Sequence, residues 1–328
     1  MAGTHNSLCT FLRISVIFRR FRNVAAFVML AVMQKIILDT DIGDDIDDAL
    51  ALAVILNSPE LELLGVTTVF RDAALRTRLA RHLLGVWERA STHVATGISP
   101  PLLQPFNMDL GTQFQLLDDV EKNGASEEHA VDFILRAARD LEARGETLTL
   151  VPIGPLTNIG VALACEPELA GRVRIVLMGG WWKADADYAE WNIACDPEAA
   201  AIVFKSGAPI DMIGLDVTLR CKLSEDNIGQ IESGGTGRGA LLAKLIRLWQ
   251  NNQSHTPTLH DPLAVLTLFS DCVRFEEKRI EVVLCGEERG RTQIIESDAP
   301  GQRASNTRIA VDVDVERAIA LFMQRVLA

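Results

Sequence analysis

Six carboxylates crowd into ten residues: Asp39, Asp41, Asp44, Asp45, Asp47 and Asp48, with Gly43 among them. Like charges this close repel, and the turn that carries them is costly unless a hard cation or a polyhydroxyl ligand sits between them. One or two such residues serve as helix caps or turn formers; six exceed that need. An EF-hand loop is excluded, because it requires a Glu at its last position. Counting from Asp39 that position is Leu50, and counting from Asp41 it is Leu52. Other polar groups are candidates for the same site: Asp72, Glu190 with Asn192, and His260 with Asp261. A set of Asp, Glu, Asn and His with no Lys or Arg among them suits a hard cation and a hydroxyl-rich ligand, and suits phosphate poorly. Trp181, Trp182 and Trp191 offer faces on which a planar base would stack, with Trp191 favoured by its place beside Asn192. His82 and His255 are weaker candidates, named only for their titration range.

The elements that must position these groups are legible around them. Ile36 to Leu38 is a continuous apolar run, as expected of a buried parallel strand. Gly43 permits the tight or left-handed turn, and Asp47 and Asp48 open a helix whose dipole favours anions. Strand, acidic turn and helix put the carboxylates at the carboxyl end of a strand, where open α/β sheets keep their ligands. Further strands are expected at Leu63–Val69, His93–Thr96, Thr147–Ile153, Val173–Met178 and Pro209–Leu215. Helical patterns follow at Asp72–Arg89, Ser126–Arg144, Pro155–Cys165, from Asp196, at Ser224–Glu232, Arg238–Gln250 and His260–Phe269. Ile280–Leu284, Thr292–Glu296 and Arg308–Val313 alternate like antiparallel strands, and Asp314 caps a last helix to Val326. Gly97–Gly111 is a loop, and Gly111–Gly124 is a candidate lid. The expected fold class is α/β: an open, mostly parallel sheet with helices on both faces, a Rossmann-like core, and a small antiparallel appendage near the C-terminus.

Composition narrows the function. A net charge of −12 argues against nucleic-acid binding, which needs clustered Lys and Arg. The cysteines, Cys9, Cys165, Cys195, Cys221, Cys272 and Cys285, show no metal spacing and read as reduced thiols of a cytoplasmic protein. Residues 1–34 carry four Arg and no acid, with an apolar run from Val24 to Met33 that is too short to span a bilayer. A targeting segment, a membrane-surface stretch, and untranslated sequence with Met33 as the true start all fit; the last is preferred, because the first strand begins just after Met33. Residues 35–328 then form a single catalytic domain.

Taken in order, the motifs resemble the nucleoside hydrolase family (inosine–uridine preferring nucleoside N-ribohydrolases). The matching residues are Asp39-Thr40-Asp41-Ile42-Gly43 with Asp47-Asp48-Ala49, Val66-Thr67-Thr68-Val69, and Val151-Pro152-Ile153-Gly154-Pro155-Leu156-Thr157-Asn158. They continue through Val176-Leu177-Met178-Gly179-Gly180, Glu190-Trp191-Asn192-Ile193 with Asp196-Pro197-Glu198, and His260-Asp261-Pro262. The resemblance implies calcium-dependent cleavage of ribonucleosides into ribose and free base. It implies Ca²⁺ ligands in Asp41, Asp48, Asp261 and the carbonyl of Ile153, with Asp41 also the general base for the attacking water. Asp39 would support the ligands from behind, and Asp47, Met178, Glu190, Trp191 and Asn192 would contact the ribonucleoside. His260 would protonate or orient the leaving base, and two or four copies would associate.

Departures from the family pattern are specific. Two extra residues separate Gly43 from Asp47, which leaves Asp44 and Asp45 without assigned roles; Asp45 is an alternative to Asp47 on the sugar. Asp72 stands where many relatives carry Asn, so it can accept from a ribose hydroxyl but not donate. The segment before Glu190 lacks the expected Gly-Asn-rich character. Two other functions stay open from the residues: a non-catalytic calcium-dependent nucleoside binder, and a Mg²⁺-dependent phosphohydrolase with an Asp nucleophile. Base preference is assigned to the loops Gly97–Gly124 and Gly229–Thr258.

Overall fold

The computed structural model describes residues 33–105, 111–117, 126–183, 188–234, 237–251, 253, 255–295 and 306–328. Residues Gln34–Ala328 make one compact unit. The N-terminal extension up to residue 32 lies outside the described residues, as do much of the candidate lid and the segment 184–187.

Ten strands are described: β1 (Gln34–Thr40), β2 (Leu61–Thr68), β3 (His93–Thr96), β4 (Leu148–Pro152), β5 (Val173–Met178), β6 (Ile210–Ile213), β7 (Val273–Glu277), β8 (Ile280–Val282), β9 (Thr292–Ile294) and β10 (Thr307–Val313). Eight of them form one sheet in the order β3-β2-β1-β4-β5-β6-β10-β7. All neighbours in it run parallel except β10 and β7. The described helices are α1 (Asp47–Leu56), α2 (Ala73–Val86), α3 (Ala130–Glu142), α4 (Thr157–Cys165), α5 (Trp191–Cys195), α6 (Pro197–Lys205), α7 (Leu215–Thr218), α8 (Glu225–Ser233), α9 (Gly237–Gln250), α10 (His260–Leu266) and α11 (Val315–Val326).

Period-two alternation makes the sheet a partition between two cores. In β1, Ile36 and Leu38 join the apolar layer that contains α1, α9 and α10, whereas Ile37 joins the layer of α3, α4 and α6. Burial on both faces explains why β1 reads as an unbroken apolar run. The caps follow the sequence signals. Asp196 accepts from Ala199 N ahead of Pro197, Ser224 and Asn227 form a capping box, and Asp314 accepts from Arg317 N.

Two features differ from the sequence expectation. The antiparallel appendage is only the β8–β9 pair; β10 enters the main sheet parallel to β6, and an unforeseen β7 pairs antiparallel with it at the edge. The alternation in β10 arises because Arg308 turns outward to Asp211 while Ile309 and Ala310 are fully buried. The short helix α7 was also not signalled, because its four residues are fewer than one apolar period needs.

The chain runs from β1 outward to β2 and β3, then returns to the other side of β1 with β4. This reversal leaves a crevice outside the carboxyl ends of β1 and β4, the place where open α/β sheets bind ligands. Asp41 follows β1 and Ile153 follows β4.

Candidate active site

A cavity of about 420 Å³ opens at that crevice. Its lining brings together Asp41, Asp45, Asp47, Asp48, Ile153, Met178, Glu190, Trp191, Asn192, His260 and Asp261, all foreseen from the sequence. Asp39 and Asp72 are not part of the lining. Asp72 is the N-cap of α2, its carboxylate accepting from Leu75 N at 2.8 Å, which corrects its assignment to the ligand.

The acidic turn is built by the local backbone. Gly43 sits at φ 123°, and a Cβ there would run into the Phe114 ring, so the segment Thr112–Leu116 packs on the turn only because this residue is glycine. Gly111 N donates to Asp44 Oδ1 at 3.1 Å, and the Gln113 amide donates to the Asp45 carbonyl. Asp47 and Asp48 occupy the first turn of α1 and are buried. Asp261 occupies the first turn of α10, and its N–H donates to Asp47 Oδ2 at 3.3 Å. Asp41 packs against Gly154, where a Cβ would lie 2.8 Å from Asp41 Oδ1.

Burial raises these carboxyls. Asp41 is pushed up to about 7, chiefly by desolvation, with Arg76 opposing and Asp44 reinforcing the rise. Asp47, Asp48 and Asp261 are held well above the usual carboxylate range, first by desolvation and then by a neighbouring carboxylate, Asp45 for Asp47, Asp41 for Asp48 and Asp47 for Asp261. Thr40 donates its hydroxyl to Asp48 Oδ1. Behind them Asp39 is pushed up to about 7 by burial, although it accepts from Thr67 Oγ1 at 2.5 Å and Asn158 Nδ2 at 2.7 Å. Its Oδ2 is buried without a partner among the described residues.

Asp47, Asp48 and Asp261 each offer an oxygen within 4.8 Å of the others, all three buried. Three converging carboxylate oxygens fit a hard divalent cation, whose charge would favour their ionised forms. The triple contains Asp47 where the resemblance implied Asp41; Asp41 lines the same cavity. The Ile153 carbonyl accepts from Asn192 Nδ2 at 2.8 Å, and the same amide donates to Met178 O at 3.2 Å. With both amide hydrogens engaged, Asn192 keeps its Oδ1 to accept from a ligand hydroxyl. Glu190 caps α5, accepting from Asn192 N, Ile193 N and Gly180 N, and burial raises its pKa.

The expectation of no arginine among these groups is overturned. Arg71 lines the cavity, and fully buried Arg76 lies beneath the turn. Both bond Asp44 Oδ2, at 2.7 and 2.8 Å, so Asp44 is an ion-pair anchor. Arg76 also donates to the carbonyls of Phe70, Asp41 and Ile42, tying the turn after β1 to the turn after β2. The linear motif hides this, although β1 and β2 are parallel neighbours whose following turns share one rim.

His260 Nδ1 lies 2.8 Å from Thr218 Oγ1, and burial lowers its pKa to about 4. It is therefore a neutral imidazole near pH 7, suited to a hydrogen bond rather than to delivering a proton as imidazolium. Trp191, 55 % exposed, forms part of the wall, as do Tyr188, Trp249, Gln253, Leu215 and Leu219. Trp249 and Gln253 fall in the loop region flagged for base preference; Tyr188, the chain's single tyrosine, gave no signal beyond its nearness to Glu190. Trp181 packs edge-on to Tyr188, and Trp182 bonds the Ala310 carbonyl. His255 packs edge-on to Trp249. Burial pushes the Cys195 thiol up, away from nucleophile chemistry.

Comparison with known proteins gives a consistent picture. Residues 36–320 match the family model described as inosine-uridine preferring nucleoside hydrolase. The chain is 35% identical over 300 residues to the non-specific ribonucleoside hydrolase RihC of Salmonella enteritidis, covering 86% of this chain and 94% of that one. It is 31% identical over 319 residues to a probable uridine nucleosidase 2 of Arabidopsis thaliana, covering 90% and 98%. The solved purine-preferring ribonucleoside hydrolase from Gardnerella vaginalis superposes with a TM-score of 0.78 at 31% identity, covering 90% of this chain and 98% of that one.

Proposed function

The chain belongs to the inosine-uridine preferring nucleoside hydrolase family, and from that premise we propose that it cleaves the N-glycosidic bond of ribonucleosides in a calcium-dependent reaction, releasing ribose and the free base. The observation that carries this reading is the convergence of buried Asp47, Asp48 and Asp261 beside Asp41, at the crevice where the strand order reverses.

Asp47, Asp48 and Asp261 would hold Ca²⁺, with Asp41 and the Ile153 carbonyl as further oxygens within the same lining. When bound, the ion supplies positions for the sugar diol and lowers the pKa of water. Asp41 accepts the proton of the attacking water; its elevated pKa suits a base working near neutrality. Asn192 Oδ1 and Glu190 hold ribose hydroxyls. As the bond to the base stretches, positive charge grows on the sugar, and the surrounding carboxylates stabilise it. His260, fixed by Thr218, hydrogen-bonds and orients the departing base, which leaves with the electron pair of the broken bond and takes a proton from solvent. Trp191 and Trp249 give the aromatic wall that excludes water from the base side.

The deciding experiment measures reducing sugar released from a panel of purine and pyrimidine ribosides, with calcium and with chelator. Ribose release that disappears in chelator and returns with calcium supports the reading. Tight riboside binding without ribose release over hours returns the non-catalytic binder, and phosphate release from phosphoesters returns the phosphohydrolase. Cytoplasmic residence and association into dimers or tetramers belong to the same proposal. The described cysteines are all free thiols, and no helix among the described residues is long and apolar enough to cross a membrane.

A further inference from the structure

Arg76 takes part in no step above, yet it is fully buried beneath the acidic turn and outside the cavity lining. It stands on the buried face of α2 with Ala73 and Ala80. A guanidinium taken out of water is costly unless its charge is met and its donors find acceptors. Here both conditions hold. Nε donates to the Phe70 carbonyl at 2.9 Å, Nη1 to the carbonyls of Asp41 and Ile42, and Nη2 to Asp44 Oδ2 at 2.8 Å. Asp44 falls in the two-residue expansion between Gly43 and Asp47, which the reaction leaves without a role. The turn thus carries an extra acid, and the cation that meets it lies 32 positions further on.

The consequence for Asp41 follows from its backbone. Peptide units are planar, so the two units that flank a residue set the direction in which its side chain leaves the chain. The unit ahead of Asp41 is held by the sheet, because the Thr40 carbonyl accepts from Val69 N at 3.1 Å. The unit after it is held by Arg76, which takes the Asp41 carbonyl. The Ile42 N–H of that same unit donates to Thr40 Oγ1 at 3.1 Å, a hydroxyl that also serves Asp48 and turns about its own bond. The rigid restraint on this unit is therefore the guanidinium fork, which spans the turns after β1 and β2. We propose that Arg76, paired with Asp44, is a positioning residue that shapes the acidic turn and aims Asp41 into the cavity. It acts through the backbone of Asp41 and touches no reacting atom. The kinetic part of its test rests on the hydrolase reading; the structural part does not.

The test measures deuterium uptake and ribose-release kinetics for the wild type, Arg76→Met and Arg76→Lys. In chelator, residues 39–48 of Arg76→Met should exchange at least about ten-fold faster than in the wild type, while β5 and β6 exchange unchanged, because the restraint lost is local. In calcium, kcat for uridine and inosine should fall about a hundred-fold, the scale of a ~1 Å misplacement. KM should stay within about three-fold, because Arg76 lies outside the cavity lining. The calcium concentration for half-activation should rise about ten- to a hundred-fold, as for other residues that orient metal ligands. Lys keeps a cation beside Asp44 without the planar fork, so Arg76→Lys should hold the fold without regaining kcat. It also carries the whole comparison if Arg76→Met does not fold. Uptake in 39–48 that is unchanged, or raised equally throughout the chain, overturns the assignment, as does wild-type kcat in either variant. A wild type that releases no ribose defeats the hydrolase reading alone, and the exchange comparison still decides the role of Arg76.

Discussion

Replacing Asp261 by Asn should stabilise the protein without metal and remove most of the stabilisation that a bound ion would add, two opposite effects from one substitution. Asp261 offers an oxygen within 4.8 Å of oxygens on Asp47 and Asp48. At an effective dielectric of about 20, two unit charges at that distance repel by roughly 3.5 kcal/mol, so the three carboxylates do not all ionise together. Asp261 consequently ionises less readily in the metal-free protein than in the unfolded chain, its pKa raised by burial first and then by Asp47 and Asp48. The unfolded chain releases that proton near 3.8, so every pH unit above this over which folded Asp261 stays protonated costs the folded state roughly 1.4 kcal/mol. Asn requires no such proton. The folded pKa is the higher one, so this term weakens the wild type as pH rises above the ordinary carboxylate range, and the advantage of Asp261→Asn should widen with pH until folded Asp261 itself ionises. A gain of a few kcal/mol corresponds to a melting temperature higher by on the order of 5 °C in chelator. On the proposed calcium reading, calcium at a hundred times its dissociation constant would stabilise the wild type by about 2.7 kcal/mol, and the variant, short of one anionic ligand, should gain little. Thermal denaturation of both proteins in chelator and in calcium, at several pH values, decides the matter. A variant that melts lower than the wild type in chelator, and gains as much from calcium, refutes the reasoning.

Asp41→Ala should lose about 10²–10⁴-fold in kcat in the ribose-release assay, the span expected for a general base, and retained turnover would remove Asp41 from that role. Asp72→Ala should cost about 1 kcal/mol in denaturant unfolding through the lost cap on α2, with KM for ribosides unchanged, because its carboxylate serves Leu75 N. Asp196→Ala should cost more, about 2–4 kcal/mol by the same measurement. Its buried carboxylate accepts from Ala199 N and Thr157 Oγ1 and also holds Leu102 N of the loop beside α5.

Much of this site was legible because its makers are neighbours in sequence or open a helix at the rim. Asp41, Asp47 and Asp48 come from a single strand–turn–helix unit, whose pattern is local. Asp261 and Glu190 were visible as polar residues at helical starts. What a linear reading missed is produced by adjacency of strands. Arg71 and Arg76 reach Asp44 only because β2 lies beside β1, and Thr218 reaches His260 only because α7 packs near the start of α10. Asp72 misled for a related reason: its type fits a ligand contact, but its place before α2 gives its oxygen to the backbone instead. In the sheet, period-two alternation cannot distinguish a solvent-facing hairpin from an edge region such as β10, where an outward Arg308 meets Asp211.

Asp47 and Asp261 are bonded across 214 positions of sequence. A ribosome adding about 5–20 residues per second needs roughly 10–40 s to pass from one to the other. Through that interval the nascent chain carries a half-finished anionic cup with no third wall. A truncated product ending before α10 never acquires that wall, so on the proposed calcium reading strong ion retention would itself mark a chain translated past α10.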